Sequence, residues 1–206
     1  MPKTKTKNIV DNITNAAAKT YAASEPYSVQ VRIRGVCDLL FKRWDSEAVK
    51  AKAAGVKGSI SRKTDDLESY VYRDTEGYIC LPGEYVRQST IRAAKSFQDP
   101  RSPRKSAMDI FKAGLVALTL LARLGNKKEW DYEDARRVII QGSAITRIRP
   151  AFSASWEAEF IFQVFTPEYI SPEFLHEVMV NAGRLVGVGD FRPTFGRFQI
   201  VNWKVL

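Results

Sequence analysis

The chain has 206 residues and is 45% hydrophobic, which is enough for the core of one large domain or two small ones. Its 32 lysines and arginines against 23 acidic residues give a formal net charge of +9. This charge favours a polyanionic partner such as nucleic acid, although acidic protein surfaces and anionic lipid also fit it. No stretch approaches the roughly 18 apolar residues of a membrane-spanning helix, and the N-terminus lacks the apolar segment of a signal peptide. We therefore expect a soluble, cytoplasmic protein without a membrane partner.

The residues that usually bind metals or catalyse reactions are sparse. Cys37 and Cys80 lie in no CxxC motif and His176 is the only histidine, which argues against a zinc site and a histidine-based triad. Glu157 and Glu159 alternate along a predicted strand and would suit a metal-dependent nuclease, but such alternation is typical of a solvated strand face. We predict a binding protein with no catalytic residues, no metal and no cofactor, and keep the nuclease as the less favoured alternative.

The N-terminal part of the chain combines a basic arm with a strand. Residues 1–26 carry four lysines among alanines, asparagines and threonines, and this composition predicts a flexible basic arm. Tyr27–Gly35 is the first predicted strand, because apolar residues alternate there with polar ones. The polar face of this strand carries Arg32 and Arg34, so it is either simply solvated or a binding surface.

Two insertions flank a basic helix. The segment Ser46–Asp66 is polar and lysine-rich, which predicts a short helix followed by a loop. The turn Leu81-Pro82-Gly83 leads into a helix that carries Arg92 and Lys95, and whose first N–H groups could face an anion. An ordinary helix with a solvated charged face is the alternative. The segment Gln98–Ser106 contains two prolines and predicts a projecting loop without regular structure.

The middle of the chain predicts mainly strands. The apolar run Ile110–Leu124 fits both helix and strand, and we favour strand for part of it. Two short strands follow, Arg136–Gln141 and Ala144–Arg149, on either side of a Gly-Ser turn. Since Arg147 and Arg149 share one face of the second strand, a basic ladder is expected on a sheet surface.

The last fifty residues predict a strand, a helix, a glycine-rich loop and a strand, in that order. Trp156–Val164 alternates as a half-buried strand, and Ser171 caps a helix that Pro172 begins and Gly183 ends. The final strand begins near Phe198. A Rossmann fingerprint is excluded, because its glycines follow a strand and open a helix, whereas these glycines close a helix and open a strand.

The glycine loop, defined as residues 183–196, is the main candidate for a binding site. Clustered glycines predict backbone N–H groups that point into a concavity, where a phosphate can bind beside arginines. We therefore select Gly187 and Gly189 for close backbone approach to the ligand, Arg192 for phosphate contact and Phe191 for base stacking. The alternative is a tight connection in which the glycines only make the turn.

These features resemble the RAMP superfamily, in particular the Cas7-like backbone proteins of CRISPR effector complexes and their phage and plasmid relatives. The resemblance rests on the Leu81-Pro82-Gly83 turn before a basic helix and on the Gly187-Val188-Gly189-Asp190-Phe191-Arg192 loop before the last strand. A first strand that carries Arg32 and Arg34 completes it. The resemblance covers most of residues 27–206. The chain departs from the family in being short for a CRISPR backbone subunit and in lacking a matching catalytic aspartate.

The resemblance implies one α+β domain over residues 27–206, with a modified ferredoxin-like (RRM-like) antiparallel sheet and helices on one face. The insertions near 46–66 and 98–106 would form finger or thumb elements. The implied function is non-catalytic binding of single-stranded RNA or DNA, with homo-oligomers along the strand and other subunits of a ribonucleoprotein complex as partners. A phage protein of similar fold that acts on single strands in replication or recombination, or one that interferes with host defence by mimicking a subunit, is the alternative.

The predicted nucleic-acid-binding residues combine three kinds of chemistry. Cationic side chains neutralise phosphates, glycines allow a backbone to come close, and aromatic rings stack on bases. The set is Arg32, Arg34, Arg92, Lys95, Arg147, Arg149, Gly187, Gly189, Phe191 and Arg192. Tyr85 and Phe152 are further candidates for stacking.

Overall fold

The structure is a computed structural model that describes residues 25–44, 46, 50, 54, 66–140 and 143–206. The predicted basic arm, apart from residues 25 and 26, and most of the insertion at 46–66 lie outside the described residues.

Strands dominate the described residues, which contain twelve strands and three α-helices. The strands are β1 (Tyr27–Gly35), β2 (Leu39–Leu40), β3 (Tyr72–Arg73), β4 (Ile79–Pro82), β5 (Gln98–Asp99), β6 (Ser102–Ser106), β7 (Leu115–Ala117), β8 (Leu121–Arg123), β9 (Tyr132–Ile140), β10 (Ser143–Phe152), β11 (Glu157–Val164) and β12 (Phe198–Val205). The helices are α1 (Gly83–Ala93), α2 (Met108–Gly114) and α3 (Pro172–Asn181). No helix in this part of the chain is long and apolar enough to cross a membrane.

The main sheet has four strands in the order β12-β1-β11-β7, and every neighbouring pair is antiparallel. The predicted alternation in β1 is confirmed, because Val29, Val31 and Ile33 are fully buried while Arg32 and Arg34 are exposed. Since side chains of successive residues point to opposite faces, one face of this sheet forms the core and the other is solvated.

Helices α1 and α3 cover the buried face. Val86 of α1 and Leu175 and Val178 of α3 belong to the same hydrophobic cluster as the inward-facing residues of β1 and β11. The predicted cap of α3 is confirmed, since the Ser171 hydroxyl accepts a hydrogen bond of 3.2 Å from the Phe174 amide. Such a cap typically stabilises a helix by about 1 kcal/mol.

The remaining strands form three smaller sheets: β2-β10-β9, β3-β4-β8 and the pair β5-β6. The segment 98–106 therefore differs from the irregular loop that its prolines predicted. Asp99 is 2% exposed and accepts hydrogen bonds from both the amide and the guanidinium of Arg101, which closes a tight turn between β5 and β6. Pro103 is tolerated because a two-stranded ribbon consists only of edge strands.

The ambiguous run 110–124 contains both kinds of structure. Helix α2 ends at Gly114, where a side chain would collide with the Thr166 hydroxyl, and β7 and β8 follow it. The two strands predicted at 136–149 are longer than expected and form one antiparallel hairpin, β9–β10, from Tyr132 to Phe152. Only the base of this hairpin pairs with another described strand, β2.

Candidate nucleic-acid interface

The glycine loop packs against its own chain. Gly189 adopts φ +78°, and a Cβ there would lie 2.5 Å from the Leu40 carbonyl oxygen. Gly187 adopts φ +73°, and its amide donates a hydrogen bond of 2.8 Å to the Ala182 carbonyl. These two glycines therefore allow the loop backbone to lie close to other backbone segments of the same protein, and not to a ligand.

Several loop amides that we predicted to be bare are used inside the protein. The amide of Val188 donates to Gly196, that of Asp190 to Leu40, and that of Gly196 to Asp38, at 2.8 to 2.9 Å. The prediction of a bare amide cradle is wrong for these groups, because the backbone donors of a buried loop must find acceptors. The N-terminus of α1 behaves similarly, since the Gly83 amide donates to the Leu120 carbonyl.

Arg149 is buried, which corrects its prediction as an exposed phosphate contact. The residue is 3% exposed, and its Nε atom donates a hydrogen bond of 2.8 Å to the Asp190 carboxylate. Its guanidinium carbon also lies 5.4 Å from the ring centroid of Tyr70 and 5.9 Å from that of Phe191. Arg149 therefore ties β10 to the glycine loop. Phe152, a candidate for stacking, is also fully buried and packs edge-on against Phe41.

Arg32 and Arg34 lie on the open face of the main sheet, where each is paired with a carboxylate on β11. Arg32 contacts Glu159 at 2.9 Å and Arg34 contacts Glu157 at 2.6 Å, with the arginine side chains about half exposed. Their charges are thus largely neutralised within the sheet. The two glutamates belong to ion pairs, and among the described residues no group of three or more His, Cys, Asp or Glu could hold a metal ion.

Arginines and aromatic rings meet where β3, α1 and the glycine loop converge. The Arg43 guanidinium carbon lies 5.2 Å from the centroid of Tyr72, and the Arg43 amide donates to the Tyr70 carbonyl. The ring of Tyr72 packs edge-on against Tyr85 at 5.9 Å, and their hydroxyl oxygens are 3.3 Å apart. We call this region the arginine–tyrosine surface; it comprises Arg43, Tyr70, Tyr72, Tyr85, Arg92, Phe191 and Arg192.

Arg192 and Arg92 bring two like charges together at one end of this surface. Arg192 is half-buried, and its pKa is lowered first by this burial and then by the neighbouring charge of Arg92. Asp190 and Tyr85 act in the opposite direction, but the Asp190 carboxylate also bonds Arg149. Within the described ranges, no hydrogen bond or ion pair joins the side chain of Arg92 or Arg192 to another residue. An anion bound here would offset both the repulsion and the lost hydration.

Lys95 and Arg147 are the remaining cationic residues of the predicted set. Lys95 is exposed in the short 3₁₀ turn that follows α1. Arg147 pairs in register with Arg136, whose guanidinium bonds Asp134 at 2.6 Å and lies 4.4 Å from the Phe195 ring. Of the hairpin arginines, Arg136 and Arg149 contact the glycine loop, at Phe195 and Asp190 respectively.

Sequence reasoning missed Arg43, Tyr70 and Tyr72. Arg43 and Tyr72 lie 29 positions apart along the chain, and most of the segment between them lies outside the described residues. Neither residue belongs to a motif, and no local pattern in the sequence indicates that they lie side by side.

Comparison with solved structures shows that this fold is shared with a protein of a Type III-B CRISPR complex. A chain in the cryo-EM structure of the Type III-B Cmr-beta bound to cognate target RNA is similar with a TM-score of 0.52 and 10% sequence identity, over 96% of this chain and 66% of that chain. The crystal structure of Cmr6 from Pyrococcus furiosus matches with a TM-score of 0.45 and 9% identity, over 85% of this chain and 99% of that chain.

The resemblance inferred from the glycine loop and the basic helix is thus confirmed at the level of the fold. The chain spans 66% of the length of the Cmr-beta chain that it matches. No family model and no curated protein sequence matches this chain.

Proposed function

We propose that this protein binds single-stranded RNA as a non-catalytic subunit of a ribonucleoprotein complex. The observation that carries the proposal is the arginine–tyrosine surface, at whose end Arg92 and Arg192 lack carboxylate partners among the described residues. Phosphate oxygens accept hydrogen bonds from guanidinium groups, and aromatic rings beside them can stack on bases. The fold shared with a chain of an RNA-bound complex supports RNA over DNA as the first ligand to test.

The topology of the main sheet supports the ferredoxin-like assignment. In chain order, the four strands of the main sheet are β1, β7, β11 and β12. Helix α1 lies between β1 and β7, and helix α3 lies between β11 and β12. The sheet order is then fourth, first, third, second, as expected for a β-α-β-β-α-β unit closed into one antiparallel sheet. In this proposal, residues 27–206 form one domain, and the hairpins β5–β6 and β9–β10 are insertions into it.

The predicted residues receive different roles under this proposal. Arg92, Arg192 and Lys95 contact phosphates, and Phe191 offers a half-exposed ring beside them. Arg147 extends the basic surface along the hairpin. Arg32 and Arg34, already paired with glutamates, contribute weakly. Arg149, Gly187 and Gly189 shape the glycine loop without touching the strand.

Direct binding tests this function. Fluorescence anisotropy with labelled single-stranded RNA and DNA of 10 to 40 nucleotides, over a salt series, should give affinities that fall steeply with salt. We expect R92A/R192A to weaken RNA binding at least about tenfold, since each guanidinium bonded to a charged group contributes roughly 1.5–3 kcal/mol. R123A is the matched control, because Arg123 is also an exposed arginine but is held by Asp74 and Glu76.

Two results would contradict the proposal. The first is the absence of binding to any strand at low salt, which would favour an acidic protein as the partner of the basic surface. The second is an R123A protein that is weakened as much as R92A/R192A, because net charge alone would then explain the affinity. Light scattering on the same samples tests the homo-oligomer, whose particles should lengthen with the RNA.

A further inference from the structure

Trp44 is an exposed aromatic residue that directly follows Arg43 of the arginine–tyrosine surface in the chain. Its side chain is 78% exposed, whereas Trp156 is 5% exposed and the other two tryptophans are partly buried. An exposed indole does not contribute the stabilisation that burial of such a large aromatic side chain provides. An indole left in solvent therefore merits a functional explanation.

The two residues that precede Trp44 are cationic, whereas Asp45 follows it in the sequence. Lys42 is exposed, and the guanidinium of Arg43 lies over the ring of Tyr72, which in turn contacts Tyr85 beside Arg192. An apolar protein partner would have to desolvate these charges, whereas a polyanion would be attracted by them. The chemistry beside Trp44 thus favours a ligand that carries negative charge and flat aromatic faces together.

We propose that Trp44 is a stacking platform for an unpaired base of the strand whose phosphates Arg92 and Arg192 bind. This inference rests on the proposed function and deepens it, because only a nucleic acid with accessible bases can use the platform. A base inside a duplex presents no free face to an indole. The protein should therefore select single strands over duplexes, and should do so through Trp44 and not through its arginines.

An abasic oligonucleotide separates stacking from phosphate binding. Affinities of wild type, W44F and W44A are measured for a 12-nucleotide RNA and for a strand with the same sugar–phosphate backbone but no bases. We expect W44A to bind the RNA about 5- to 100-fold more weakly, as is typical for loss of one base–aromatic stack. Binding of the abasic strand should be unchanged in W44A, and W44F should retain most of the affinity for RNA because a phenyl ring also stacks.

F165A is the matched control. Phe165 is also an exposed aromatic residue, at 49%. It directly follows β11, at the end of that strand that pairs with Tyr27, the first residue of β1. The glycine loop is instead hydrogen-bonded to residues that follow the other end of β1. Substitution of Phe165 should leave both affinities unchanged. Circular dichroism of W44A and F165A verifies that each variant is folded.

Tryptophan fluorescence gives an independent readout. The difference between the wild-type and W44F spectra isolates the emission of Trp44, which should be accessible to iodide in the free protein and quenched when the RNA stacks on it. Emission that stays unchanged at saturating RNA would overturn the inference, as would W44A binding RNA like wild type; the proposed function would stand in both cases.

If the wild type binds neither the RNA nor the abasic strand, the proposed function fails and the inference with it. Emission of Trp44 that is shielded from iodide in the free protein would assign the indole to a contact within the protein instead.

Discussion

Arg149 and Asp190 form an ion pair between β10 and the glycine loop, with the arginine side chain 4% exposed and the carboxylate 30% exposed. The pair joins two segments that are 41 residues apart in the sequence. Asp190 also donates its amide to Leu40, so this one residue connects the loop to both β2 and β10. Phe191 and Arg192 follow directly, and the position of the proposed binding residues therefore depends on this contact.

We expect D190N to destabilise the protein by about 3 kcal/mol, because it leaves a buried guanidinium without a charged partner. Urea unfolding followed by circular dichroism measures the change. R149M should destabilise it less than D190N does, since an apolar side chain of similar length leaves no buried charge behind.

The exposed pair Arg32–Glu159 provides the control for this prediction. E159Q should change the free energy of unfolding by less than about 1 kcal/mol, because exposed ion pairs are weak. A D190N protein as stable as E159Q would show that the contact between β10 and the loop is not structural.

Gly189 provides a second test of how the loop is held. G189A should destabilise the protein by about 2 to 3 kcal/mol, because its φ of +78° is unfavourable for other residues and its Cβ would lie 2.5 Å from the Leu40 oxygen. Gly125 is the matched control, since it has φ +59° but open space around it, and G125A should cost only about 1 kcal/mol. Equal effects of the two substitutions in thermal unfolding would mean that backbone strain alone matters and that the approach to Leu40 does not.

Elements with a strong local pattern could be predicted from the sequence. The alternation in β1 and β11 and the cap at Ser171 depend on neighbouring residues alone, and the structure confirms them. The hairpin β5–β6 could not be predicted in this way. Its turn depends on hydrogen bonds from Arg101 to Asp99, which compensate for a proline-containing sequence that is otherwise typical of a loop.

The candidate site could be predicted only in part, for a similar reason. Arg92 and Arg192 were each selected on local grounds, but their proximity is a result of tertiary packing. Strand alternation correctly places Arg147 and Arg149 on the same face of β10. It does not reveal that the glycine loop packs against Arg149 on that face. Burial and pairing of a charged side chain depend on what packs against it, and no local pattern encodes this.

The open face of the main sheet offers a test of local electrostatics. A hydrogen bond from the Gln30 amide and then one from the Arg32 guanidinium hold the pKa of the Glu159 carboxyl below its ordinary value of 4.5. Because the folded pKa is lower than the unfolded one, the stabilisation is fully present above about pH 4.5 and is lost as the pH falls through the folded value. In a carboxyl NMR titration, Q30A should raise the pKa of Glu159 towards 4.5. Q163A, a change on the same face of β11, should not affect it, and a pKa that is insensitive to Q30A would contradict the assignment.

The proximity of Arg92 and Arg192 predicts opposite effects on stability and on binding. The two charges repel each other in the free protein, so R92Q should raise the free energy of unfolding by a few tenths of a kcal/mol, as expected for removal of a like-charge pair at a surface. The same substitution should weaken RNA binding and reduce the salt dependence of the affinity by about one unit of slope, because one phosphate contact is lost. Urea unfolding and a salt titration of RNA binding measure the two effects on one preparation. If R92Q lowered stability and left the slope unchanged, Arg92 would be a structural residue, and the phosphate site at the end of the arginine–tyrosine surface would have to be abandoned.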